Sequence, residues 1–139
     1  MTFSGLSYLA IVIAAVVAWL AGAAWYMTLG KIWTAALGKT LEEAHAARQQ
    51  PGAYLPFISA FIAELIMAWV LAGLLGHIGA LTLRGGLISG AFCWLGFVIT
   101  TLFVNNSFAK RDWRLVWIDG GHWLIVLVLM GAIIGAIGA

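Results

Sequence analysis

Four apolar runs dominate the chain, at roughly Leu6 to Leu29, Leu55 to Gly76, Gly86 to Val104 and Trp117 to Ala139. Each approaches the about 20 helical residues that cross a bilayer core. In hydrocarbon every backbone polar group must be paired internally, which leaves helices or a closed barrel. Barrel strands alternate in polarity over about ten residues, whereas these runs are apolar on all sides. The expected fold class is therefore all-α, an integral membrane four-helix bundle. It forms a single transmembrane domain over residues 1–139, with helices at about 6–29, 55–76, 86–104 and 117–139.

Composition excludes the alternatives. With 64% hydrophobic residues, 9% charged residues and a mean hydropathy of +1.06, a 14.9 kDa domain in water would expose large apolar patches. A net charge of +2 and a pI near 9.0 do not point to nucleic acid, because the Lys and Arg residues gather in two loops. The lone Cys93 excludes an intramolecular disulfide and reads as a small packing residue. Ala21-Gly22-Ala23 has the small residues of a cleavage site, but no Lys or Arg precedes the run and the run is long for a signal peptide. A retained helix is expected.

Lys31, Lys39 and Arg48 lie between the first two runs, and Lys110, Arg111 and Arg114 between the last two; Arg84 stands alone on the opposite side. The positive-inside rule then places the first and third loops in the cytoplasm and both termini outside. Trp25, Tyr26, Trp33, Tyr54, Trp113 and Trp117 fall near the same boundary, where amphipathic rings are favoured. In the loop over 30–54, Thr40 with Glu43 forms a capping-box pattern that starts a short helix at about 41–50, ahead of Pro51. Its alanine face offers little to a membrane, so it is either a solvated connector or a docking surface. The loop carries no phosphate-cradling glycine run and no zinc spacing.

Small residues show where helices meet, since apolar side chains gain little by leaving lipid for one another. Ala10, Ala14, Ala18 and Gly22 form one ridge; Ala60, Ala68, Ala72 and Gly76 form another, with Glu64 in its gap. Gly131 and Gly135 make a Gly-x-x-x-Gly pair on a face opposite His122. That pair fits either packing inside the bundle or contact with a second subunit.

Glu64 is the residue to single out. Counted from Tyr54 it lies about 15 Å deep, near the midplane. An ionised carboxylate is costly there, so the neutral form is favoured unless a cation lies near. Two readings stay open: a protonated structural hydrogen-bonding group, or a proton, cation or amine site. The basic candidate is His122, about 8 Å deep from Trp117, so a pair with Glu64 needs bent geometry or a bridging water. A second polar group, Asn105, Asn106, Asp119 and His122, is expected beside Tyr26. Asp119 would favour the start of the fourth helix. Metal is not expected, because the Glu-x-x-His pairs of a di-iron bundle are lacking.

Trp25-Tyr26 near the end of the first helix, Gly30 and Trp33 after it, and Ile118-Asp119-Gly120-Gly121-His122 opening the fourth resemble an uncharacterised bacterial family of small four-helix membrane proteins known only as a domain of unknown function. The resemblance covers nearly the whole chain. It implies four helices and a bacterial inner membrane, and it implies no activity.

The function expected is that of a non-catalytic accessory or assembly subunit, partnered by lipid and by other membrane proteins or copies of itself, with no nucleic acid. Trp69 and Trp94 would pack against lipid, pigment or quinone tails, so the cofactor is unknown. The alternative is a small proton- or cation-linked transporter or channel using Glu64. An enzyme is not expected, since Glu64, Asp119 and His122 come with no nucleophile or cofactor loop.

Overall fold

The structure, a computed structural model, describes residues 3–139. It contains α1 (Tyr8–Ala36), α2 (Leu41–Arg48), α3 (Leu55–His77), α4 (Leu83–Cys93), a π-helical stretch (Trp94–Ile99), α5 (Thr100–Phe108) and α6 (Arg114–Ile137), and no strand among the described residues. The helix α4, the π stretch and α5 run on as one span, so four helices are long and apolar enough to cross a membrane. The chain is an all-helical, multi-pass membrane protein.

The helix ends differ from the expected ones for local reasons. Ser7 caps α1 by accepting from Ala10 N–H, and the helix runs past Leu29 to Ala36. Gly30 and Lys31 do not stop it, because a helix tolerates both at a wet boundary; the reversal comes at Gly38, at φ +74°. Thr40 does cap α2 by accepting from Glu43 N–H, but α2 ends at Arg48 and buries nothing. The third span starts at Leu83, not Gly86, because Thr82 Oγ1 accepts from Gly85 N–H. It continues through the polar Asn105, Asn106 and Ser107. The fourth starts at Arg114, ahead of Trp117, where Asp112 Oδ1 accepts from Arg114 N–H.

The axis of the bundle is α6, with α1 and α4 along it and α3 against both α1 and α6. The buried core joins Ala14, Ala15 and Ala18 of α1 to Ala68, Leu71, Ala72 and Leu75 of α3 and to Val126, Leu127, Met130 and Ile134 of α6. Small residues let the backbones approach until dispersion contacts replace those that lipid would make. At the end of the bundle, Ser7 N–H donates to Gly138 O, fastening the start of α1 to the end of α6.

The Gly-x-x-x-Gly pair packs within the chain. A Cβ on Gly131 would strike the Gly86 carbonyl, one on Gly86 the Gly131 carbonyl, and one on Gly135 the Thr82 carbonyl. The face offered to a second subunit as one of two expectations is thus filled by α4, since a glycine at each contact lets the two backbones come this close.

The third span is built differently from the rest. Only Gly86 and Gly90 of its helices are buried, and nothing in the π stretch or α5 is. A π stretch shifts the backbone pattern from i→i−4 to i→i−5 bonding. Here Thr100 and Thr101 hydroxyls donate to the Gly96 and Phe97 carbonyls at 2.9 and 2.6 Å, supplying bonds where lipid supplies none.

Candidate functional site

The polar groups gather at one end of α6 around the Gly120-Gly121 pair. Asp119 Oδ1 accepts from the Tyr26 hydroxyl at 2.6 Å and from Trp33 Nε1 at 3.0 Å, both on α1. Tyr26 and Trp33 are seven residues apart, about two turns, so one helix face presents both donors. Their rings meet edge to face, with centroids 5.7 Å apart. The short hydroxyl contact falls in the range of a charge-assisted bond.

Two more indoles donate to the α6 backbone itself: Trp25 Nε1 to Ile118 O at 2.9 Å, and Trp94 Nε1 to Gly120 O at 2.7 Å. A helix carbonyl already bonded within its helix keeps a second lone pair, and the glycines leave room to reach it. A Cβ on Gly121 would lie 2.7 Å from the Trp25 ring. A Cβ on Gly120 would press on Ile99, the last residue of the π stretch. The double glycine is therefore the point where α1 and the third span both grip α6.

One turn deeper, His122 is buried, with its ring 5.0 Å from Tyr26 and 4.6 Å from Trp123. It lies directly on Gly22, where an added Cβ would come within 2.5 Å of its Nε2. Its Nδ1 is buried with no hydrogen-bond partner among the described residues. Glu64, 1% exposed, is the other buried side chain left incomplete among the described residues: its Oε2 has no hydrogen-bond partner there.

The structure thus brings together Tyr26, Asp119 and His122, and separates the remaining candidates from them. Asn105 is exposed and makes no hydrogen bond to Asp119. Asn106 turns the other way, its Nδ2 donating to Asp112 O at 2.9 Å. Glu64 belongs to a different level. Trp19 donates to Phe57 O and meets the Phe61 ring on α3, while Gly22, three residues away on α1, faces His122. Counting helical rise down α3 to Glu64 leaves roughly 12 Å between it and His122 along the bundle. Ala18 and Gly22 both lie on the buried ridge of α1.

Asp119 does not serve the start of its own helix as expected. With α6 beginning at Arg114, its carboxylate is past the first turn and faces α1; Asp112 takes the terminal role. Arg114 holds the Asp112 carboxyl below the usual carboxylate range, by a side-chain hydrogen bond first and its backbone N–H second. Sequence reasoning missed Trp33 and Trp94 as donors. The signal for Trp33 was its seven-residue spacing from Tyr26; for Trp94 there was none. No group of three His, Cys, Asp or Glu side chains stands close enough to hold a metal among the described residues.

The chain belongs to the family described as Protein of unknown function (DUF1761), which matches it over residues 9–135. That bears out the resemblance to a family of unknown function. No curated protein and no solved structure matches the chain.

Proposed function

For this member of a family of unknown function, we propose a non-catalytic membrane subunit that joins a larger membrane complex or copies of itself. The observation that carries the reading is the outward-turned third span. Beyond Gly86 and Gly90 none of its residues is buried, and although Cys93, Trp94 and Val98 pack against the core, Phe92, Phe97 and Phe108 are 69%, 75% and 87% exposed. This span is the least covered of the four by the chain's own helices, which leaves it the one with a free face for a partner helix. The Asp119 cluster supports the same reading, because its indoles and phenol bind α1 and the third span to α6 and turn no donor outward. The setting we assign is a bacterial cytoplasmic membrane, with the first and third loops inside by their basic residues.

Native mass spectrometry after gentle extraction tests this. A stoichiometric partner or a defined homo-oligomer is expected; a chain that leaves the membrane alone overturns the reading. A second reading rests on Glu64, whose buried Oε2 lacks a partner among the described residues. In it the carboxyl is a proton or cation site in a small transporter, and Glu64→Gln abolishes flux in proteoliposomes. As a subunit, the protein carries no flux and Glu64→Gln assembles as wild type does.

A further inference from the structure

Three spans end in the same turn, and one of them uses the wrong residue for it. After α1, Gly38 N–H donates to Ala35 O and Lys39 N–H to Thr34 O; after α3, Gly79 N–H donates to Gly76 O and Ala80 N–H to Leu75 O. After α5, Lys110 N–H donates to Ser107 O and Arg111 N–H to Asn106 O. Each is a Schellman ending, in which the residue after the cap adopts a left-handed backbone. Gly38 and Gly79 do so at φ +74° and +66°, and Lys110 at +52°, the only non-glycine residue with positive φ among the described residues. A side chain there is strained, so a lysine in place of glycine points to a use for its ammonium.

The surroundings show what the use is. Lys110 and Arg111 line a shallow groove together with the polar Asn106 and Ser107 and the apolar Phe103 and Trp117. The acid beside them is occupied: Asp112 pairs with Arg114 at 2.6 Å, the one ion pair among the described residues. Two cations adjacent in the chain therefore share the groove at the end of a span with exposed aromatic rings, Phe103 at 61% and Trp117 at 62%. Asn106 Nδ2 also ties the turn together by donating to Asp112 O at 2.9 Å.

We infer that this groove seats an anionic phospholipid, with Lys110 and Arg111 on the phosphate and the first methylenes of an acyl chain along Phe103 and Trp117. Charge complementarity selects the headgroup, and the apolar part of the lining selects a lipid over a free anion. Basic pockets at the ends of spans recognise anionic headgroups in this manner.

The test is native mass spectrometry of the full chain, delipidated and offered equal phosphatidylglycerol and phosphatidylcholine. Wild type is expected to prefer phosphatidylglycerol, and Lys110→Gln with Arg111→Gln to lose the preference. Lys110→Gly is the sharper variant. Glycine relieves the backbone, so the protein should unfold at or above the wild-type temperature while its affinity for phosphatidylglycerol falls about five-fold. Lys39→Gln, at the equivalent turn after α1, should leave the preference unchanged. Equal retention of the two lipids by wild type overturns the inference, as does an unchanged preference in Lys110→Gly or an equal loss in Lys39→Gln. So does displacement of phosphatidylglycerol by millimolar inorganic phosphate, which would make the groove a free-anion site.

Discussion

The two halves of α6 hold their neighbours by opposite means. Toward its C-terminal end, Gly131 and Gly135 lie against Gly86 and Thr82 with backbone on backbone, a dry seam whose stability is shape alone. Toward its N-terminal end, Asp119 and the carbonyls of Ile118 and Gly120 take donors from Tyr26, Trp33, Trp25 and Trp94. Both ends depend on glycine, for different reasons. In the seam its absence of a side chain brings two helices together; at Gly120-Gly121 it lets an indole reach a carbonyl that a side chain would cover. A seam tolerates no added atom, whereas a clasp loses its bonds one at a time.

The largest effect should therefore come from the seam. Gly86→Leu should destabilise the folded protein by about 3 kcal/mol or more, since the obstructing atoms are backbone and cannot rotate away. Thermal unfolding in mild detergent measures it, and a loss under 1 kcal/mol would show the helices are not this close. Next comes the clasp. Asp119→Asn should cost about 2 kcal/mol, because it weakens two bonds to a carboxylate oxygen. A double-mutant cycle with Tyr26→Phe should show coupling, and additivity would break the pairing. Trp94→Phe removes one neutral bond and should cost about 1 kcal/mol. Hydrogen exchange should then quicken in the π stretch and α5 before it does in α4, separating the clasped half of the third span from the seamed half.

The smallest effect belongs to the turn before α6. Arg114 holds the Asp112 carboxyl below its usual range, so its contribution is complete above the unfolded value of about 4 and fades as pH falls through the lower folded value. Protection of the first amides of α6 should drop under acid, and Asp112→Asn should remove that dependence. Persistence of the dependence in the variant would assign it to another group.

The four spans were legible because continuous apolarity over about 20 residues has few other meanings. Their ends were not, because headgroup-level backbone stays helical through Lys31 and through Asn105 to Ser107, which read as loop by polarity. The misplaced end at Leu29 had a consequence for the site: with Trp33 outside the helix, its common face with Tyr26 went unseen. Tyr26, Asp119 and His122 were expected together and are together. Asn105 was expected there because the third span ends on the same side as Asp119, and it is exposed instead, since helix phase decides direction. Trp94 read as a lipid- or pigment-facing ring. Only the fold shows a carbonyl at its indole, because a contact between residues 26 positions apart leaves no local pattern. Trp69, expected to face the same tails, is 43% exposed and also stacks on Phe3 at 4.5 Å. The choice between internal and external packing for Gly131 and Gly135 lay beyond sequence for the same reason, as the complementary glycines sit on another span.

The central claim is that α6 is packed by this chain's own α4. Unfolding of wild type and Gly131→Ala over about a hundredfold range of protein-to-detergent ratio tests it, because stability that depends on a second copy must depend on concentration. The expected result is the same destabilisation at every dilution. If the two proteins instead unfold alike when dilute and differ only when concentrated, the glycine face meets a second copy and the seam is wrong.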